Sequence, residues 1–199
     1  EDLLERVWET IPVVILAGRS WPNADSATVD SYEAGLLATR HLVGLGHRRI
    51  LHVVGPENRN EAHEGQRGYL DALSEAGAQP LPVVRGDWSA DSGHAVGQEV
   101  DPATFTAVFS ANDQMALGFM SALRSRGLQA PGDYSIVGVD DMPDARYFAP
   151  PLTSVYMDFV GLGRAGFEMI THRIDTGERA PRRLIKPSLV VRESSATPR

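Results

Sequence analysis

Four short apolar runs constrain this chain more than anything else in it, because each ends abruptly in a polar or glycine-bearing junction. They are "RRILHVVGP" (48–56), "LPVVRGD" (81–87), "TAVFSAN" (106–112) and "SIVGVDD" (135–141). Their length and β-branched content read as buried strands rather than helices. Helical patterns lie around them. "YEAGLLATRHLVGLG" (32–46) precedes the first, and its Gly44 and Gly46 read as a helix stop. "EGQRGYLDALSEAG" (64–77) puts Tyr69, Leu70 and Leu73 on one face and stops at Gly77, and a further helix runs from Asp113 to Arg126 before Gly127. Strands and helices alternating at intervals of roughly 25 to 30 residues predict βαβ units and a parallel sheet covered on both faces, an α/β fold. Further on, "PPLTSVYMDFVGLGRAGFEMITHRIDTG" (150–177) predicts a strand and a helix, and "RRLIKPSLVVRES" (182–194) predicts closing strands. The opening "EDLLERVWETIPVVILAG" reads as the tail of a helix and one strand, and a lone strand needs neighbours.

Composition narrows the function. The chain has 199 residues, a net charge of −7 and no cysteine. An acidic chain is poorly suited to gripping phosphate backbones, which takes clustered Lys and Arg. Without cysteine there is no disulfide, zinc–thiolate site or thiol nucleophile. No run of about 18 apolar residues is available to span a membrane, and no signal peptide is visible. A cytoplasmic protein is the expectation.

Ligands of open parallel sheets bind outside the carboxyl ends of the strands. The residues there are Gly55-Pro56, Asp87-Trp88, Asn112-Asp113 and Asp140-Asp141. Carboxylates and an amide serve hydroxyl groups in both directions, and an indole covers the apolar side of a sugar ring. The plainer reading of each residue alone is a helix cap or a turn.

Other motifs carry less. "GLGRAG" (161–166) matches a dinucleotide fingerprint letter for letter, but "MDFV" separates it from the strand, and Arg182, Arg183 and Lys186 occupy the region where an acidic residue belongs. Small residues that let a helix pack closely explain it better. The six histidines show no metal-ligand spacing, and neither a phosphate-binding loop nor a nucleophile elbow occurs. No catalytic residue, metal or cofactor is predicted, and the chain is read as not an enzyme. "RYF" (146–148) is either a core plug or an association surface.

The segments "LGHRRILHVVGP", "RGYLDAL", "GDWSADSG", "FTAVFSANDQMALG", "DYSIVGVDDMPDARYFAPPLTSVYMDF" and "PSLVVRES" together resemble the lac/galactose repressor (LacI/GalR) family, in its order and spacing, over nearly all of residues 32–194. The resemblance implies a two-lobed fold like the type I periplasmic sugar-binding proteins, with an effector in the cleft between lobes. It assigns residues 1–30 and 157–186 to an incomplete N-terminal lobe, and 31–156 and 187–199 to a C-terminal lobe. It also implies a helix-turn-helix headpiece, hinge helix and several strands ahead of Glu1, so that the sequence is expected to be part of a longer protein.

Position by position, the resemblance implies that Asn112 and Asp140 meet effector hydroxyls and that Trp88 and Phe159 are aromatic walls. It places a homodimer interface at Leu117 and Met120, with Tyr147 and Phe148. Three positions depart from the family. Gly65 stands where an Arg is usual, with Arg67 two residues on as the candidate substitute; Ala17 stands in place of Asp, and Met157 in place of a polar residue. The implied function is the effector-binding and dimerisation core of a transcriptional regulator that binds a small molecule, a sugar for preference, and acts on operator DNA through a headpiece outside this chain. The alternative is the solute-binding protein of a sugar transporter.

Overall fold

The computed structural model describes residues 11–16 and 25–198. Ala17 and the predicted helix at the chain's start lie outside the described residues. The chain divides into two compact units. One holds the residues up to Asp30 together with Asp158–Pro187; the other holds Ser31–Met157 and the chain from Ser188 onward.

The larger unit is built on a six-stranded sheet. Its strands are β3 (Ile50–Val54), β4 (Val84–Arg85), β5 (Ala107–Ser110), β6 (Ser135–Asp140), β7 (Thr153–Tyr156) and β9 (Ser188–Val190), in spatial order β4-β3-β5-β6-β7-β9. All neighbours are parallel except β7 and β9. The helices are α1 (Ser31–Gly44), α2 (Asn60–Glu75), α3 (Ala90–Glu99) and α4 (Asp113–Ser125). They pack as two pairs, α1 with α2 and α3 with α4. The α/β class with parallel strands and helices on both faces is borne out.

Each strand feeds both layers, because alternate side chains point to opposite faces. Leu51, Val53, Val108 and Ile136 join Met115, Phe119 and Leu123 of α4 in one core, all at or below 5% exposure. On β3 and β5 the alternate positions His52 and Phe109 stack with ring centroids 4.4 Å apart, and Tyr69 of α2 lies 4.9 Å from His52. The pair α3 and α4 crosses on glycine. A Cβ at Gly118 would sit 1.8 Å from the Ala90 carbonyl oxygen, and one at Gly93 would sit 2.1 Å from that of Met115. Nothing larger than hydrogen fits at either place.

The smaller unit has strands β1 (Val14–Leu16), β2 (Asp25–Val29) and β8 (Arg183–Ile185), parallel and in the order β1-β2-β8. Helix α5 (Phe159–Thr176) lies against them and buries Ala165, Gly166 and Met169. All of "GLGRAG" is inside this helix, and a Cβ at Gly166 would meet Leu16 at 2.7 Å. The glycine is a packing device. The two closing strands do not close one sheet: β8 and β9 belong to different units, with Pro187 between them.

Candidate functional site

The chain passes from β3 to β4 on one side, then returns to β5 on the other side of β3. That reversal falls at the carboxyl ends of β3 and β5, the place where open parallel sheets hold ligands. The register makes the rim level. Val53 pairs with Ser110 and Phe109 with Val137, so Gly55, Asn112 and Asp140 follow their pairs by two or three residues in one row.

Trp88 and Asn112 are brought together there. The indole lies directly on Gly55, where a Cβ would come within 2.2 Å of the ring. The Asn112 side chain donates from Nδ2 to the Trp88 carbonyl at 2.9 Å. Its Oδ1 accepts from the Met115 amide at 2.9 Å and so caps α4. The cap reading holds, and it leaves one amide hydrogen and one lone pair of Asn112 unused by the bonds described.

Backbone strain concentrates on the same rim. Among the described residues, those other than glycine with positive φ are Trp88 (77°), Asp140 (104°) and Asp141 (50°), and all three stand at strand ends of this sheet. For a bulky indole this conformation costs on the order of 1–3 kcal/mol, and such outliers cluster at ligand sites.

Asp113 divides the work with its neighbour. It is fully buried, accepting from Ser154 Oγ at 2.6 Å and from the Met142 amide at 2.8 Å. Burial pushes its carboxyl up to about 6, against the pull of those two bonds. Burial, with the charge of Asp113 second, pushes Asp140 up to about 7. Asp141 instead has Arg192 Nη1 at 2.6 Å from Oδ1, a close charge contact without hydrogen-bond alignment.

Other expected residues fall elsewhere. Phe159 begins α5 in the smaller unit and is 55% exposed. Arg67 lies with its guanidinium 4.5 Å from the centre of the Tyr32 ring and 2.6 Å from Glu64. No described contact joins it to Trp88, Asn112 or Asp140, so substitution for the missing Arg at position 65 gains no support. Met120 is a correction: at 6% exposure it is part of the α4 core, because its position on the helix faces the sheet. Leu117, 41% exposed, and Tyr147, 78% exposed, are on the surface, while Phe148 packs against the core. Met157, where a polar residue is usual, is buried. Ser154 and Arg192 escaped the sequence reading, because both are distant in sequence and meet the rim only through register.

A family model described as periplasmic binding protein-like domain matches residues 39–195. The HTH-type transcriptional repressor PurR of Haemophilus influenzae is 37% identical over 97% of this chain. The chain spans 60% of that repressor's length. A dimeric Lac repressor with an 11-residue C-terminal deletion superposes with a TM-score of 0.91 at 31% identity, over 100% of this chain and 74% of that one. The chain belongs to the LacI/GalR family. A further member, a LacI family transcriptional regulator from Enterococcus faecium with bound ribose, superposes with a TM-score of 0.88 at 26% identity, over 94% of this chain and 72% of that one. The periplasmic-binding-protein-like fold of LacI cores accounts for the parallel sheet and its reversal point. Among the described residues no group of three or more His, Asp or Glu is arranged to hold a metal, and no helix is long and apolar enough to cross a membrane.

Proposed function

We propose that this chain is the effector-binding core of a LacI-type repressor, and that a small polyhydroxylated molecule, of the sugar class, binds at the strand ends that carry Trp88, Asn112 and Asp140. The row of Gly55, Asn112 and Asp140 at the reversal point, with the strained indole seated on Gly55, is the observation that carries the reading. The remaining Asn112 hydrogen donates to a ligand hydroxyl, the Asp140 carboxyl accepts from another, and the indole face covers C–H groups. The E. faecium relative with bound ribose supports the ligand class.

Binding here regulates DNA through differential affinity. An effector shifts the regulator's states only by as much as it prefers one of them, and a headpiece pair responds when the shift alters its half-site spacing. Leu117 and Tyr147 are exposed apolar side chains of α4 and the loop after β6, and a homodimer covers them.

A thermal-shift screen of pentoses, hexoses, disaccharides and nucleosides identifies the effector, because a ligand of the native state raises apparent stability by mass action. Calorimetry with the hit then tests the site. Asn112→Ala and Asp140→Ala each lower affinity by about a hundredfold or more, as buried hydrogen bonds to hydroxyls demand. Unchanged affinity in both folded variants rules the site out.

A further inference from the structure

We propose that Asp113 is a positioning residue of the effector site: it holds the strained turn on which Asp140 stands, and its carboxyl shares a face of β6 with that of Asp140. The inference rests on the reading that Asp140 meets the effector.

The geometry leaves little freedom. A Cβ at Gly138 would sit 2.2 Å from Asp113 Oδ1, so the carboxyl lies against the β6 backbone. Gly138 and Asp140 are two residues apart on the strand and so share its face. From there both carboxyl oxygens act on the turn. Oδ2 accepts directly from the Met142 amide at 2.8 Å; Oδ1 accepts at 2.6 Å from Ser154 Oγ, which accepts in turn from the Asp141 amide at 3.1 Å. The two amides that follow Asp140 are thus both fixed by one side chain, at the place where φ is 104° and then 50°. A turn in this conformation persists only when its surroundings over-determine it. Arg192 completes the frame, bonding the Leu152 carbonyl at 2.7 Å and lying against Asp141.

The charged groups facing this carboxyl are Asp140 and Asp141 at the end of β6, and Arg192 beyond β9. One cation among four carboxyl-bearing or cationic groups leaves Asp140 beside a like charge it cannot escape. Loss of the Asp113 charge therefore eases ionisation of Asp140, while loss of the bonds frees the turn.

The test needs no ligand. The 199-residue chain is labelled with 13C at aspartate carboxyls, and Asp140 is assigned from Asp140→Asn. In the unaltered chain Asp140 titrates near neutral pH. In Asp113→Asn its midpoint falls by about one pH unit or more, since a neighbouring like charge is worth that much, and the Met142 amide loses exchange protection. Ser154→Ala also lowers the midpoint by letting water reach the turn, and Ser154→Thr, which keeps the hydroxyl, restores it. Should Asp113→Asn fail to fold, the Ser154 pair decides. An Asp140 midpoint unmoved in the folded variants overturns the proposal, as does an ordinary carboxylate midpoint in the unaltered chain. Neither result touches the calorimetry on Asn112→Ala, so this inference and the effector reading fail separately.

Discussion

The two ends of the six-stranded sheet differ in almost every respect. At the carboxyl ends stand three residues in left-handed backbone conformations and two carboxyls pushed toward neutrality by burial. At the amino ends the chain's last residues form a seal with nothing strained in it. His47, 2% exposed, reaches Thr106 Oγ1 at 2.9 Å through Nδ1, and donates from Nε2 to the Ala196 carbonyl at 2.9 Å, with Ser135 Oγ at 3.0 Å. Ser194 Oγ donates to the Ile136 carbonyl and accepts from the Thr153 amide. Ser195 bridges His41 and Thr153. One end has its polar groups paired with each other; the other keeps donors and acceptors unused. The proposed effector site lies at the second.

The sharpest way to break this comparison is to cut the seal. His47→Ala removes a buried ring and its bonds to Thr106, Ser135 and Ala196, although Ser135 Oγ still donates to the Ala196 carbonyl and Thr106 Oγ1 to the Arg49 carbonyl; the loss costs about 4 kcal/mol by the usual scale for lost buried bonds and an unfilled cavity. Urea denaturation reads it directly. A loss under about 1 kcal/mol would mean that the tail is ornament and the two ends are not so different.

Acid separates the ends further. Burial holds His52, between them in mid-sheet, down to about 4 from 6.5, and it lowers His41 and His47 as well. For a histidine whose folded value is depressed, the unfolded chain takes up the proton first. Stability is therefore full above pH 6.5 and falls as pH drops toward 4, by about 3 kcal/mol for His52 alone. His52 Nδ1 donates to the Phe109 carbonyl at 3.0 Å. His52→Asn keeps a donor near that position and starts less stable, yet loses less between pH 6.5 and 4. Parallel acid curves for the two proteins would refute the assignment.

How far the sequence revealed this depends on what each residue uses to fold. The strands of the larger unit were legible because each is an apolar run closed by a polar junction, and the row of strand ends followed from parallel pairing. Strand β2, "DSATV", was not. All five of its residues are buried, but it is the middle strand of its sheet and fills that place with short polar side chains rather than an apolar run. Helix α3, "ADSGHAVGQE", hid for a related reason: it docks through Gly93 and Gly97 instead of a hydrophobic stripe. Around the site, Asn112 and Asp113 were visible as a pair, but not their division of labour. That depends on Ser154, forty-one residues from Asp113 and beside it only because β6 pairs with β7. "RYF" splits between its two expected readings: Phe148 packs against the core as a plug would, while Tyr147 stands outside.

The mildest perturbation bears on the open end and should have the opposite sign. Asp140 carries a folded value raised to about 7, so its contribution to stability is whole below pH 4 and is lost as pH rises through 7. Asp140→Asn has no such loss. Relative to the unaltered chain it gains stability as pH climbs from 4 to 8, reaching about 1 kcal/mol once partial solvation of the rim is allowed for. The φ of 104° adds no obstacle, since Asn tolerates such backbone as well as Asp does. Melting curves at pH 5 and pH 8 measure the difference. A variant that is more stable at pH 8 but deaf to effector would show that the open rim holds its charge at the fold's expense, as ligand sites commonly do; a pH-independent difference would show that the carboxyl is already at ease there, and that the two ends of the sheet are electrostatically alike.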